Sequence, residues 1–282
     1  MGGDDRGGFC GEKRLDSADR AGIVKCVVGR ETGPKQRGSR MARPNGVTLY
    51  RGPSMFDGSP IRVQLHGTNA PSRNPKTGPG QQVAYLPDRV DAVKALKDGG
   101  DRAVCGDCVY RGTGDRRRLC YVNPMYVNTM GKSQYPDAVP GQTLTYGLLR
   151  LGSYGSPASA PFEVSAATVA AHPGKHTGYF QEWRDPRFKA FGELCMASVS
   201  TPGQARDAWD RGFRTFRVMG PDDEVQKNEI VCPNVTDRKT CLECGLCNGN
   251  IGGGKSIAVP VHGPGKPAAA FNLLQQYVES RR

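Results

Sequence analysis

A strand–helix–strand unit in the second half of the chain limits the folds open to it. Glu193–Val199 reads as a buried strand, and Ser200–Gly212 follows as a helix. That helix has a hydroxyl cap, Pro202 in its first turn and Gly212 closing it. Phe213–Val218 is the next strand, and two strands joined by a helix pair in parallel through a right-handed crossover. The pattern recurs as a strand over Ser256–His262 and a helix over Ala268–Val278, with Pro267 just before it. Phe271, Leu274 and Val278 share one face of that helix. In the first half, Val47–Tyr50, Ile61–Leu65 and Gln81–Leu86 read as strands. Asp88 caps a helix carrying Val90, Val93 and Leu96 that stops at Gly99, and Thr143–Leu151 reads as a short helix. The expected fold is α/β, either a (β/α) barrel or an irregular parallel sheet with Cys-rich metal-binding loops, in one domain over residues 41–282.

Residues 1–40 differ from the rest: they are rich in Gly and charge, lack hydrophobic periodicity and end at Met41-Ala42-Arg43-Pro44. They read as a disordered basic arm or as sequence upstream of a true start at Met41, with Cys10 and Cys26 outside the core. No apolar stretch approaches a membrane span and no secretory leader opens the chain, so neither a membrane protein nor a disulfide-stapled secreted domain is expected. The net charge of +12 points to a polyanionic partner, most naturally nucleic acid. Residues 1–40 carry nine Lys+Arg against six Asp+Glu, so most of that excess belongs to the main domain.

Eight of the ten cysteines lie beyond residue 40, and seven of them fall into two groups. The first is Cys105-Gly-Asp-Cys108 followed by Cys120; the second is Cys232 with Cys241-Leu-Glu-Cys244-Gly-Leu-Cys247. A two-residue gap lets two thiolates of a tight turn face one cation. Four sulfurs in the second group suit tetrahedral Zn²⁺ or an iron–sulfur cluster, with His262 as an alternative to Cys232. Zn²⁺ is the expected ion at the second group, and an iron–sulfur cluster is the alternative at either. The first group offers three ligands and so leaves a coordination position open. Cys195, on a strand, reads as a core residue. Neither group has the CxxxCxxC spacing of enzymes that cleave S-adenosylmethionine.

Other motifs carry a functional and a structural reading. Gly249–Ser256 matches GxxxxGK[ST], but a strand rather than a helix is expected after it, so it reads as a loop. Pro173 and Gly174 argue against one helix presenting both His172 and His176. His176, Tyr179, Gln181, Trp183 and Arg184 mix groups suited to stacking on a base and hydrogen-bonding its edge; a loop with Trp183 buried is the structural reading. Arg116, Arg117 and Arg118, beside Cys120, are the densest positive run and fit a phosphodiester backbone or a solvated face.

The chain resembles a family of cysteine-rich proteins encoded by tailed phages, particularly those of actinobacteria. The resemblance rests on Tyr50–Met55, Val104–Cys108, Leu119–Val122, His176–Arg184, Met196–Val199, Phe213–Val218, Cys232-Pro233 and Cys241–Gly249. A similar phage group is linked to deazaguanine transglycosylases, which exchange guanine in DNA for a modified base. Transglycosylases of the tRNA-guanine type are similar in being (β/α) barrels with a structural zinc on a late CxCxxC loop closed by a histidine. Here the spacing is Cys241-xx-Cys244-xx-Cys247 followed by His262. The resemblance implies phage DNA and a deazaguanine-type base as partners, in the cytoplasm of the infected bacterial host. Its chemistry needs a carboxylate nucleophile at the sugar C1′ and an acid/base for the departing guanine. Asp107, Asp185 and Glu229 are the positional candidates. The alternatives are an iron–sulfur redox or radical enzyme and a non-catalytic zinc protein that binds nucleic acid.

Overall fold

The computed structural model describes residues 44–112, 118–138, 147–250, 253–262 and 267–280. The leader with Cys10 and Cys26, together with Arg116 and Arg117, lies outside them. Ala42–Arg282 forms one compact unit.

Alternating apolar runs broken by Gly, Pro and Asn turns build an antiparallel meander of β1 (Gly46–Pro53), β2 (Pro60–His66) and β3 (Gly80–Pro87). Every residue of β3 is buried, as expected of a strand covered on both faces. After it come three helices, α1 (Ala92–Asp98), α2 (Arg102–Cys105) and α3 (Pro124–Lys132). The chain returns as β4 (Leu148–Tyr154), parallel to β3. Helix α4 (Phe162–Ala170) leads to β5 (His176–Thr177) and β6 (Tyr179–Phe180), which lie end to end across Gly178. β5 pairs with β4 and β6 pairs with β7 (Met196–Val199), both in parallel, so this one segment joins two five-stranded sheets.

The second sheet follows the expected plan. Thr201 caps α5 (Pro202–Asp210), its hydroxyl accepting from the Gln204 N–H at 3.2 Å. Ala205 and Ala208 are completely buried, and the Trp209 indole donates to Ser256 Oγ at 2.9 Å. β8 (Thr215–Met219), β9 (Glu229–Val231) and β10 (Ser256–Pro260) complete the order β6-β7-β8-β10-β9, all parallel. Two short helices, α6 (Pro233–Thr236) and α7 (Cys241–Cys244), lie between β9 and β10. The last element is α8 (Pro267–Ser280), on which Phe271, Leu274 and Val278 are buried together.

The fold is therefore mixed α/β with runs of parallel strands. No ladder among the described residues joins the outer strands β1 and β9, so the expected barrel is not closed there. Two local expectations change. Residues 148–151 are strand rather than helix, because β4 is held on both sides: it pairs with β3, and Leu149 N–H donates to the Lys175 carbonyl. The helix cap is Asp91, accepting from Lys94 N–H, while Asp88 pairs with Arg62 at 3.0 Å. No helix among the described residues is long and apolar enough to cross a membrane.

Strand register sorts side chains onto two faces. Phe180, Ala197, Val199, Ala205 and Phe213 fill the layer between strands and helices. Arg217, wholly buried on that side, donates to both carboxylate oxygens of buried Glu229 at 2.8 and 2.7 Å and to Asp223 at 3.0 Å. Breaking such a pair from one side strands a buried charge. Arg217→Ala is expected to cost about 3–5 kcal/mol in urea unfolding, and Arg217→Met with Glu229→Leu to recover much of that loss.

Candidate functional site

The other face of the sheet carries the chemistry. In register across it stand Gln82, Arg150 and Thr177; beyond them Tyr179 pairs with Met196, and Ser198, Phe216 and Ile257 form the next row. The rings of Tyr179 and Phe216 meet tilted at 47°, with centroids 4.4 Å apart. They contribute to the lining of a cavity of about 410 Å³ that Cys232, Cys241, Cys244 and Cys247 also line.

The Cys-rich segment is folded by local capping and one clamp. Thr240 and Glu243 form a reciprocal capping box at the start of α7, which places Cys241 and Cys244 three residues apart on one turn. Arg214 then holds the segment against the sheet. Its guanidinium donates to the carbonyls of Leu246, Gly249 and Lys255 and to Asn248 Oδ1, at 2.6 to 3.2 Å. Cys247 is buried against Met196 and Ile257, and the Tyr179 hydroxyl hydrogen-bonds its sulfur. Burial, with the charges of the other three cysteines, pushes the Cys247 thiol up to about 12. His262 also lines the cavity, but it is exposed and its Nδ1 donates to the Pro260 carbonyl at 2.9 Å.

The first cysteine group stands where β3, β4 and β6 end. Cys105 closes α2, and the N–H groups of Leu119 and Cys120 both donate to the Tyr110 carbonyl, which brings Cys120 back beside the Cys105–Cys108 turn. Burial pushes Cys108 up to about 12 and holds Cys105 well above the ordinary thiol range. Asp101 is buried and accepts two bonds from Arg111; Arg118 lies 3.7 Å from its second oxygen. The sulfurs of each group act on one another electrostatically. Even so, among the described residues no three His, Cys, Asp or Glu side chains stand close enough to hold a metal ion. Thiols so strongly protonated bind a cation only by releasing protons.

Glu182 is the group that sequence reading passed over. Its carboxylate accepts from Ser156 Oγ at 2.7 Å and from the Gln181 N–H at 3.2 Å, while Oε1 is buried with no partner among the described residues. It packs on the Cys105–Cys108 turn: a Cβ at Gly106, where φ is +53°, would stand 2.6 Å from Oε1. Burial first, and the Asp107 charge in addition, raise the Glu182 carboxyl to about 7. The sequence signal was Glu182 inside the base-contacting motif; its setting depends on Ser156 and Gly106, distant in the chain.

The remaining candidates are dispersed. His176 lies on the helix-covered side and donates from Nε2 to the Leu194 carbonyl at 3.0 Å. Gln181 stays on the inner face and donates to Ser198 Oγ at 2.7 Å. Trp183 is buried, and Arg184 lies 4.0 Å over its ring while pairing with Asp207. Asp107 is exposed beside Arg102 at 3.3 Å. Asp185 caps a 3-10 segment, Pro186–Glu193, and pairs with Arg187. Glu229 is occupied by Arg217. Ser256 of the GxxxxGK[ST] match is buried at the start of β10, accepting from Trp209 and from Thr215 N–H.

Two outcomes follow. Because the folded pKa of Glu182 lies above its unfolded value, the folded state binds the extra proton between about pH 4.5 and 7. Stability then falls as pH rises through that window, by about 3 kcal/mol. Glu182→Gln should lack that slope in denaturant titrations run across the window. Arg214→Ala should release the Cys-rich segment, and Cys241, Cys244 and Cys247 should react with a maleimide at least tenfold faster than in the unaltered chain. No protein-family model matches the chain, and no curated protein or solved structure matches it.

Proposed function

We propose that this chain is a phage-encoded enzyme acting on DNA, exchanging guanine for a deazaguanine-type base in the manner of the transglycosylases it resembles. The observation that carries the reading is the pair of carboxyl groups at the Cys105–Cys108 turn. Glu182 is enclosed and raised to about 7, whereas Asp107, whose charge contributes to that shift, is exposed. Two carboxyl groups with environments pushed apart are suited to divide the roles of acid and nucleophile. They lie at the carboxyl ends of parallel strands, where α/β frames place their sites.

In this reading the Asp107 carboxylate attacks C1′ of the nucleotide. Guanine leaves with the glycosidic electron pair and takes up the Glu182 proton. The incoming base then displaces Asp107 and returns a proton to Glu182. Gln181 and Ser198, hydrogen-bonded to each other on the same face, offer an amide and a hydroxyl to the base edge. The succession of parallel strands backed by helices supports a barrel-derived frame, and the net charge of +12 supports the DNA partner. The site of action would be the cytoplasm of the infected host.

Zn²⁺ at Cys232, Cys241, Cys244 and Cys247 belongs to the proposal as a structural ion. The shared cavity favours it, although the sulfurs are not drawn together as ligands. Elemental analysis of the purified protein is expected to find zinc; iron with acid-labile sulfide would favour the redox alternative instead. Nucleoside analysis of phage DNA is the decisive test of function. The expected result is a deazaguanine nucleoside that disappears on gene deletion and is not restored by Asp107→Asn or Glu182→Gln. Unmodified guanine in both DNAs, or full restoration by both variants, overturns the reading.

A further inference from the structure

Two tyrosines anchored to the strand row that continues into the cavity wall are exposed and yet fixed in place. Tyr121 is 71% exposed, but its hydroxyl accepts a hydrogen bond from Arg150, and the Arg150 guanidinium lies 5.5 Å from its ring centroid. Tyr126 is 42% exposed, and its hydroxyl donates to Gln82 Oε1 at 2.7 Å. Met125, between them in the chain, is 71% exposed. Asn123 caps α3, accepting from the Met125 N–H, so the backbone that carries these rings is held as well.

The anchors belong to the inner face. Gln82 pairs in register with Arg150, and Arg150 pairs with Thr177, a residue of the cavity wall. The exposed rings therefore stand over the same row of strands that leads into the cavity floored by Tyr179 and Phe216. Charge defines what such a surface meets. Residues 118–136 contain no Asp or Glu; Lys132 is exposed among them, Arg118 turns inward to Asp101, and Arg150 forms no ion pair among the described residues. Rings with a free face, hydroxyls tied down and cations around them match the chemistry of an unpaired nucleic-acid strand, where bases stack on aromatics and phosphates meet the positive charge.

We propose that Tyr121 and Tyr126 form a stacking platform for unpaired bases of DNA at the entrance to the cavity, with Arg150 and Gln82 as its positioning residues. The inference rests on the reading of the chain as a DNA-acting protein, and it names the form of DNA engaged: a strand with its bases out of the duplex. Fixing the rings beforehand reduces the ordering cost of binding. A duplex, whose bases are already stacked on one another, gains nothing from these rings.

The test is fluorescence anisotropy with a labelled single-stranded oligonucleotide and with the same sequence as a duplex, using the full chain. Tyr121→Ala and Tyr126→Ala are each expected to weaken single-strand binding about 5- to 100-fold, with duplex binding changed less than twofold. Tyr121→Phe, which keeps the ring and loses the tie to Arg150, should fall between the unaltered chain and Tyr121→Ala. Equal single-strand affinity in the unaltered chain and the double alanine variant overturns the platform. So does a change confined to the sedimentation behaviour of the chain, which would mark the patch as a contact between copies. Nucleoside analysis reads out separately: a platform that binds without base exchange overturns the catalytic reading alone.

Discussion

One guanidinium holds the candidate site together. Arg214 sits just before β8, and its donors reach the carbonyls of Leu246, Gly249 and Lys255 and the side-chain amide of Asn248, on both sides of Cys247. Backbone carbonyls in an irregular segment need partners once they are covered, and a planar fork of fixed donors meets several at once. Asn250 completes the attachment: its Oδ1 accepts from the Arg214 N–H, and its Nδ2 donates to the Gly212 carbonyl. Cys247 can therefore be buried on Met196 and Ile257 without a regular element of its own. The cavity exists because its cover is tied down at the edge rather than filled from above.

The two faces of the sheet divide the work. Behind the strands, α5 and the 3-10 segment press small and aromatic side chains into a dense layer, with Phe180 set against Phe191 and Phe213. On the other side Gln82, Arg150, Thr177, Tyr179, Gln181 and Ser198 bring polar and aromatic groups beside the apolar Met196 and Ile257. Arg150 lies close enough to bear on Cys120 of one cysteine group and Cys241 of the other. The two groups, far apart in the chain, thus share one electrostatic neighbourhood.

Much of the fold was legible in the sequence because it is periodic and punctuated. The unit from Met196 to Met219 announces itself through Thr201, Pro202 and Gly212, and the structure follows it within a few residues. β4 was not legible, since Leu148, Leu149 and Leu151 suit a helix as well as a strand, and only pairing with β3 and β5 decides between them. At the site, the spacing of cysteines marked two segments, and the second group lines the cavity without converging as ligands among the described residues. What spacing does not carry is the role of a neighbour. Glu229 looked available but meets Arg217, and His176 looked like a base contact but turns to the Leu194 carbonyl. Glu182 gains its character from Ser156 and Gly106, which no local pattern connects to it.

Gly178 carries a consequence beyond its size. A Cβ there would meet Cys195 Sγ at 2.5 Å, so the join between the two sheets admits no side chain. It is also where the parity of the strand is kept: Thr177 and Tyr179, on either side, both face the cavity, while His176 and Phe180 face the helices. A strand has a period of two, so one residue added or lost at this seam would exchange the faces of everything beyond it. Tyr179 and Gln181 would turn into the packed layer, and Phe180 would turn into the cavity. The five residues from His176 to Phe180 thus act as a phase lock between a mixed sheet and an all-parallel one. Drift in length is tolerable in the loops on either side of it but not within it.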